Sequence, residues 1–161
     1  MADTPQPLVE SLYADPNIAL VMQFAVSQNG VMEDPRMGNN RGPQVDKYIQ
    51  SVGLNPAGNP PLGYAWCAAF VYWCYQQAAL QLNLKNPCVK TAGVQHHWDT
   101  TTGKKILAAD ALADHTLILP GDIFCHVDAN GGHHTGMVVN VGEDHLITVE
   151  GNTNQAGSRE G

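Results

Sequence analysis

The sequence predicts an α+β fold: helices first, a buried helix in the middle, and a small antiparallel β-sheet at the end. Three observations carry that expectation. Apolar residues recur at helical spacing in the first third; an almost wholly apolar run follows a glycine- and proline-rich break; and short alternating runs replace the helical pattern from Leu117 onward. With 161 residues, 43% of them hydrophobic, the chain has room for one domain, residues 1–161, and needs no disulfide or metal staple to fold. Its 16 glycines and 10 prolines favour a loop-rich α+β protein over a helical bundle.

Residues 1–6 read as a flexible lead, and Leu8 and Leu12 begin a helical pattern. Ile18, Val21, Met22 and Ala25 continue it in a second helix, with Pro16 suited to the first turn and Asp15 to its cap. Residues 28–43 are rich in Gly, Asn, Pro and charge and read as a long loop, followed by a short helix over 45–52. Residues 55–63, Asn-Pro-Ala-Gly-Asn-Pro-Pro-Leu-Gly, break any helix. The run from Ala65 to about Leu80 is apolar on nearly all sides, so it should be a central, buried helix. Shorter helices are expected near residues 91–98 and 108–113. Strands are expected over 122–127, 135–141 and 146–150, joined by hairpin-like turns at 128–132 and 142–144.

The charge balance narrows the function. A net charge of −7, with only 8 basic residues and no basic run, argues against a general nucleic-acid binder and against a basic membrane-surface helix. The longest apolar stretch, residues 64–75, is too short to span a bilayer, so no stable membrane insertion is expected. The start, Met-Ala-Asp-Thr-Pro-Gln-Pro, lacks the positive charge and apolar stretch of a secretory signal, so synthesis in the cytoplasm is expected. Cys67, Cys74, Cys88 and Cys125 fall in no paired metal spacing and are free thiols by default.

Cys67 stands out among them. It lies at or just inside the start of the buried helix, where unpaired N–H groups and the helix dipole favour a thiolate and can hold an oxyanion. The competing reading is structural: Cys67 shares a helix face with Phe70, Val71 and Cys74 and could be small core. Cys74, two turns further in, reads as core. A cysteine nucleophile needs a base. Alternation places His134, Gly136 and Val138 on one face of their strand, with His133 facing away. In the next strand Leu146, Thr148, Glu150 and Asn152 share a face, and Gly151 lets the backbone bend or admit a ligand. If these strands pair, Glu150 or Asn152 can accept the Nδ1–H of His134, leaving Nε2 toward the thiol.

Four ordered motifs carry a family resemblance: Trp66-Cys67-Ala68-Ala69-Phe70-Val71, Pro120-Gly121-Asp122-Ile123, His134-Thr135-Gly136-Met137-Val138-Val139, and Val149-Glu150-Gly151-Asn152-Thr153-Asn154. Together they resemble the CHAP family, the cysteine, histidine-dependent amidohydrolases/peptidases of the papain-like superfamily. The likeness runs from about Ile18 to the C-terminus, with Gly38-Asn39-Asn40 and Val45-Asp46-Lys47-Tyr48 similar to the phage and bacterial branch. The resemblance implies a papain-like fold and cleavage of peptidoglycan, at the N-acetylmuramoyl–L-alanine amide or at a peptide bond of the stem or cross-bridge. Carried over by position, Cys67 matches the nucleophile, His134 the general base, Glu150 the residue that orients the histidine, and Asn152 an orienting or oxyanion residue. No metal or organic cofactor is implied. Some members bind calcium through an acidic loop before the cysteine, but residues 55–64 contain no acidic residue. Relatives also add at least one strand after the last motif, so a truncated sheet edge is expected.

Two other classes compete. A zinc amidase or carboxypeptidase could draw on His126, His133, His134, His145 and Asp128, although none follows a tight ligand pattern. A non-catalytic wall-binding module would expose aromatic rows, which Trp66, Trp73 and Trp98 do not form. Within the favoured class the expected settings are a phage lysin or a secreted antibacterial effector acting on the cell wall, in the periplasm or outside the producing cell. An effector would imply a cognate immunity protein.

Overall fold

The computed structural model describes residues 12–127 and 132–153. The lead, the helical pattern around Leu8 and most of the turn after residue 127 lie outside the described residues. Helix α1 spans Pro16–Ser27, with Asp15 as its cap, accepting from the Asn17 N–H at 2.8 Å, and proline in its first turn. Helix α2 spans Val45–Ser51 and α3 spans Cys67–Leu82. Two short helices, α4 (Val94–Thr100) and α5 (Ala108–Ala113), and a single 3-10 turn at His115–Leu117 lead into the sheet. Strands β1 (Ile123–Val127), β2 (His133–Val141) and β3 (Leu146–Glu150) are antiparallel in the order β1-β2-β3. The layout is the expected α+β one, with helices packed on a small antiparallel sheet.

The central helix begins two residues later than its apolar run and ends at Asn83, whose left-handed backbone (φ 52°) asparagine tolerates. Burial is complete over its first half, Cys67 to Tyr72, while Leu80 and Leu82 near its end are exposed. Helices α1 and α2 and strand β2 pack around it. Tyr48 of α2 holds this centre together. Its ring stacks on Trp66 (centroids 5.6 Å apart) and meets Phe70 and Trp73 edge-on, and its hydroxyl donates to Gln28 Oε1 at 2.8 Å. That buried phenol anchors a seven-residue helix too short to be stable alone.

The long loop is fastened rather than loose. Asn39 and Asn40 both donate side-chain amides to the Leu62 carbonyl, at 2.7 and 2.6 Å. Glu33 accepts from the Asn40 backbone N–H at 2.8 Å and from the Trp66 indole at 3.0 Å. One carboxylate therefore ties the loop to the residue immediately before Cys67.

Candidate functional site

Trp66 is the residue flanking the start of α3, and its side chain caps none of the helix N–H groups. Cys67 is thus the first helical residue, where the backbone donors have no partner within the helix. Its side chain is buried, with the residue 2% exposed, and it clusters with Ala68 and with Val94 of α4, with Cys125 of β1 packed alongside. Phe70, Val71 and Cys74 belong to the main core instead. Cys67 and Cys74 share a helix face, as expected, yet occupy different environments.

The sheet brings His134 toward Cys67. Strand β2 begins at His133, two residues before the expected start, because His133 and His134 pair with Val127 and His126 of β1. On the other side of β2, Gly136 pairs with Glu150 and Val138 with Thr148. Phe124, Gly136 and Glu150 lie in one cross-strand row, and the Glu150 side chain reaches diagonally along β2 to His134. Gly136 makes that passage possible: a Cβ there would lie 2.7 Å from Glu150 Cγ and 2.8 Å from Phe124 Cε1.

Glu150 Oε2 meets His134 Nε2 at 2.7 Å, and the Thr148 hydroxyl donates to Oε1 at 2.6 Å. The Cys67 thiol lies near enough to the ring to act on its proton. With Nε2 committed to the carboxylate, Nδ1 is the nitrogen left for the sulfur. This reverses the expected ring orientation, in which Nδ1 faced the carboxylate and Nε2 the thiol. The physical reason is the diagonal reach of Glu150, which arrives at the far nitrogen of the ring. The hydrogen bonds to Cys67 and then Glu150 outweigh burial and hold the His134 pKa up at about 9. The same pairing, chiefly with His134, holds the Glu150 carboxyl below its usual range. At neutral pH the pair is an imidazolium and a carboxylate.

Asn152 follows β3 with a left-handed backbone (φ 59°) and is 3% exposed, its Oδ1 buried without a hydrogen-bond partner. The sequence left Glu150 and Asn152 as alternative partners for the histidine, and the geometry selects Glu150. Gly151 admits protein rather than ligand: a Cβ there would lie 2.8 Å from both Phe70 Cβ and the Trp66 ring. A groove of about 950 Å³ opens on the Glu150 side, bounded by Gly30, Val31, Met32, Trp66, Thr148 and Glu150.

Three contributors carried no role in the sequence reading. Thr148 was legible as sharing the Glu150 face. Gly136 was legible as sharing the His134 face, but its place opposite Glu150 depends on register. Glu33, remote in sequence, shows itself only through its bonds to Trp66 and Asn40. Among the described residues no group of three or more His, Cys, Asp or Glu is placed to hold a metal ion, and Asp128 lies outside them. Also among the described residues, no helix is long and apolar enough to cross a membrane.

Comparison with known proteins points to a family. The family model described as CHAP domain matches residues 59–152, which is more than half of the chain and holds all four candidate residues. The match starts well after Ile18, so the likeness seen at Gly38-Asn39-Asn40 and Val45–Tyr48 falls outside it. No curated protein and no solved structure gives a significant match.

Proposed function

The chain belongs to the CHAP domain family, and on that premise we propose that it cleaves a peptidoglycan amide bond with Cys67 as nucleophile and His134 as general base and acid. Domains of this family are hydrolases of cell-wall amide bonds. The observation that carries the finer reading is the 2.7 Å bond between His134 and Glu150, with Cys67 the foremost influence raising the His134 pKa.

In the proposed cycle the Cys67 thiolate attacks the amide carbonyl and forms a C–S bond. The unpaired N–H groups at the start of α3 receive the oxyanion. His134 gives its Nδ1 proton to the leaving nitrogen as the C–N bond breaks, leaving a thioester and a neutral imidazole. Water then attacks the thioester, losing its proton to Nδ1, and the acid leaves as the thiolate is restored. Glu150 keeps Nε2–H throughout and so fixes which nitrogen works. Asn152, buried two residues further on, is assigned to orienting substrate or oxyanion. The bond is the N-acetylmuramoyl–L-alanine amide or a stem or cross-bridge peptide bond. The settings that fit are a phage lysin or an antibacterial effector, the latter with a cognate immunity protein.

The test is mass spectrometry of soluble fragments released from purified sacculi. Wild-type protein should release fragments with new amino groups, whose position names the bond. Cys67→Ala should release none while remaining folded, and chelator should not inhibit. Full turnover by Cys67→Ala would refute the reading, and chelator-sensitive turnover by that variant would favour a zinc hydrolase.

A further inference from the structure

We propose that Thr148 is a positioning residue that aims the Glu150 carboxylate at His134, an inference that rests on the reading of Cys67 and His134 as nucleophile and base. A carboxylate on a partly exposed glutamate turns readily about its last bond, so one hydrogen bond to an imidazole does not fix it. Here both oxygens are engaged at short distances. Oε2 faces His134 Nε2 at 2.7 Å and Oε1 receives the Thr148 hydroxyl at 2.6 Å. An ionised carboxylate only accepts, so Thr148 is the donor.

Thr148 is well placed for this. It lies two residues before Glu150 on the same face of β3, its backbone held by pairing with Val138. Its branched Cβ restricts rotation, so the hydroxyl is presented in one direction. On the opposite side, Gly136 leaves the passage that the Glu150 stem needs. The carboxylate is therefore gripped by Thr148 beyond a stem that runs over bare backbone. Loss of the hydroxyl frees Oε1 to water and lets the group pivot off the imidazole. His134 then loses part of what holds its proton, and its ring loses its alignment toward Cys67.

The experiment compares Thr148→Val, which keeps shape and branching, with Thr148→Ser, which keeps the hydroxyl. His134 is titrated by NMR in each, and sacculus hydrolysis is measured across pH. In Thr148→Val the His134 midpoint should fall by about one pH unit and the maximal rate about tenfold, with the half-saturating amount of sacculi unchanged. Thr148→Ser should restore both toward wild type. An unmoved His134 midpoint in Thr148→Val overturns the proposal, whether activity is retained or is lost along with thermal stability. If wild-type protein does not hydrolyse sacculi while Thr148→Val still shifts the His134 midpoint, the positioning role stands and the proposed activity fails.

Discussion

Replacing Gly136 with alanine perturbs the site through a single methyl group. The added Cβ would sit 2.7 Å from Glu150 Cγ, 2.8 Å from Phe124 Cε1 and 2.8 Å from the Val149 carbonyl oxygen. Carbon atoms in comfortable contact stand about 3.5 Å apart or more, so the methyl is roughly 0.7 Å too close to two side chains at once. The carbonyl belongs to the paired strand and cannot turn away, so the side chains must. Overpacking of this kind costs about 1–3 kcal/mol. For a chain of this size that lowers the melting temperature by roughly 2–12 °C. The larger effect falls on activity. Moving Glu150 Cγ breaks a 2.7 Å bond to His134, and hydrolysis of sacculi should drop more than about tenfold at temperatures where the variant is folded. Thermal unfolding and a sacculus-release assay check both effects. Gly103→Ala, where the nearest atom would be Thr101 Oγ1 at 3.5 Å, is the control and should change neither. Wild-type melting and wild-type activity in Gly136→Ala would refute the reasoning.

Two other outcomes follow from the same geometry. The His134 pKa is raised from 6.5 to about 9 by folding, so its stabilisation is fully present below 6.5 and is lost as pH rises through 9. Denaturant unfolding between pH 6 and 10 should therefore show a loss of up to about 3 kcal/mol that is absent in His134→Gln; the same pH dependence in both proteins would contradict it. Burial pushes the thiol pKa values of Cys74 and Cys125 up, and that of Cys88 up to about 12, so all three stay protonated at neutral pH. Iodoacetamide should accordingly modify Cys67 before the other three, as read by peptide mass mapping, and His134→Ala should remove that preference. Equal labelling of all four cysteines in native protein would count against an activated sulfur.

Much of the site could be read from local signals. Cys67 was placed by the break at residues 55–63 followed at once by an apolar run, which together mark a helix start. Glu150 and Thr148 were placed on one face by alternation alone, and the strand pairing keeps them there. What escaped depends on register and on side-chain reach. The nitrogen that meets the carboxylate follows from Glu150 crossing diagonally over Gly136, and a one-residue slip would aim it elsewhere. The tie from Glu33 to Trp66 links residues far apart in the chain through a loop that has no periodicity to read. In the stretch from 83 to 117 the helices expected near 91–98 and 108–113 form as Val94–Thr100 and Ala108–Ala113, and only the single 3-10 turn at His115–Leu117 had no periodicity to announce it.

The proposed chemistry turns on one proton, held on an imidazole beside a sulfur and a carboxylate. Its midpoint can be read without any substrate, by following the His134 ring resonances against pH in wild-type protein and in Cys67→Ala. The proton should be lost near pH 9 in the wild type, with a lower midpoint once the sulfur is gone. A midpoint near 6.5 in both proteins would mean that the three side chains do not act on one another, and the proposed chemistry would have no base.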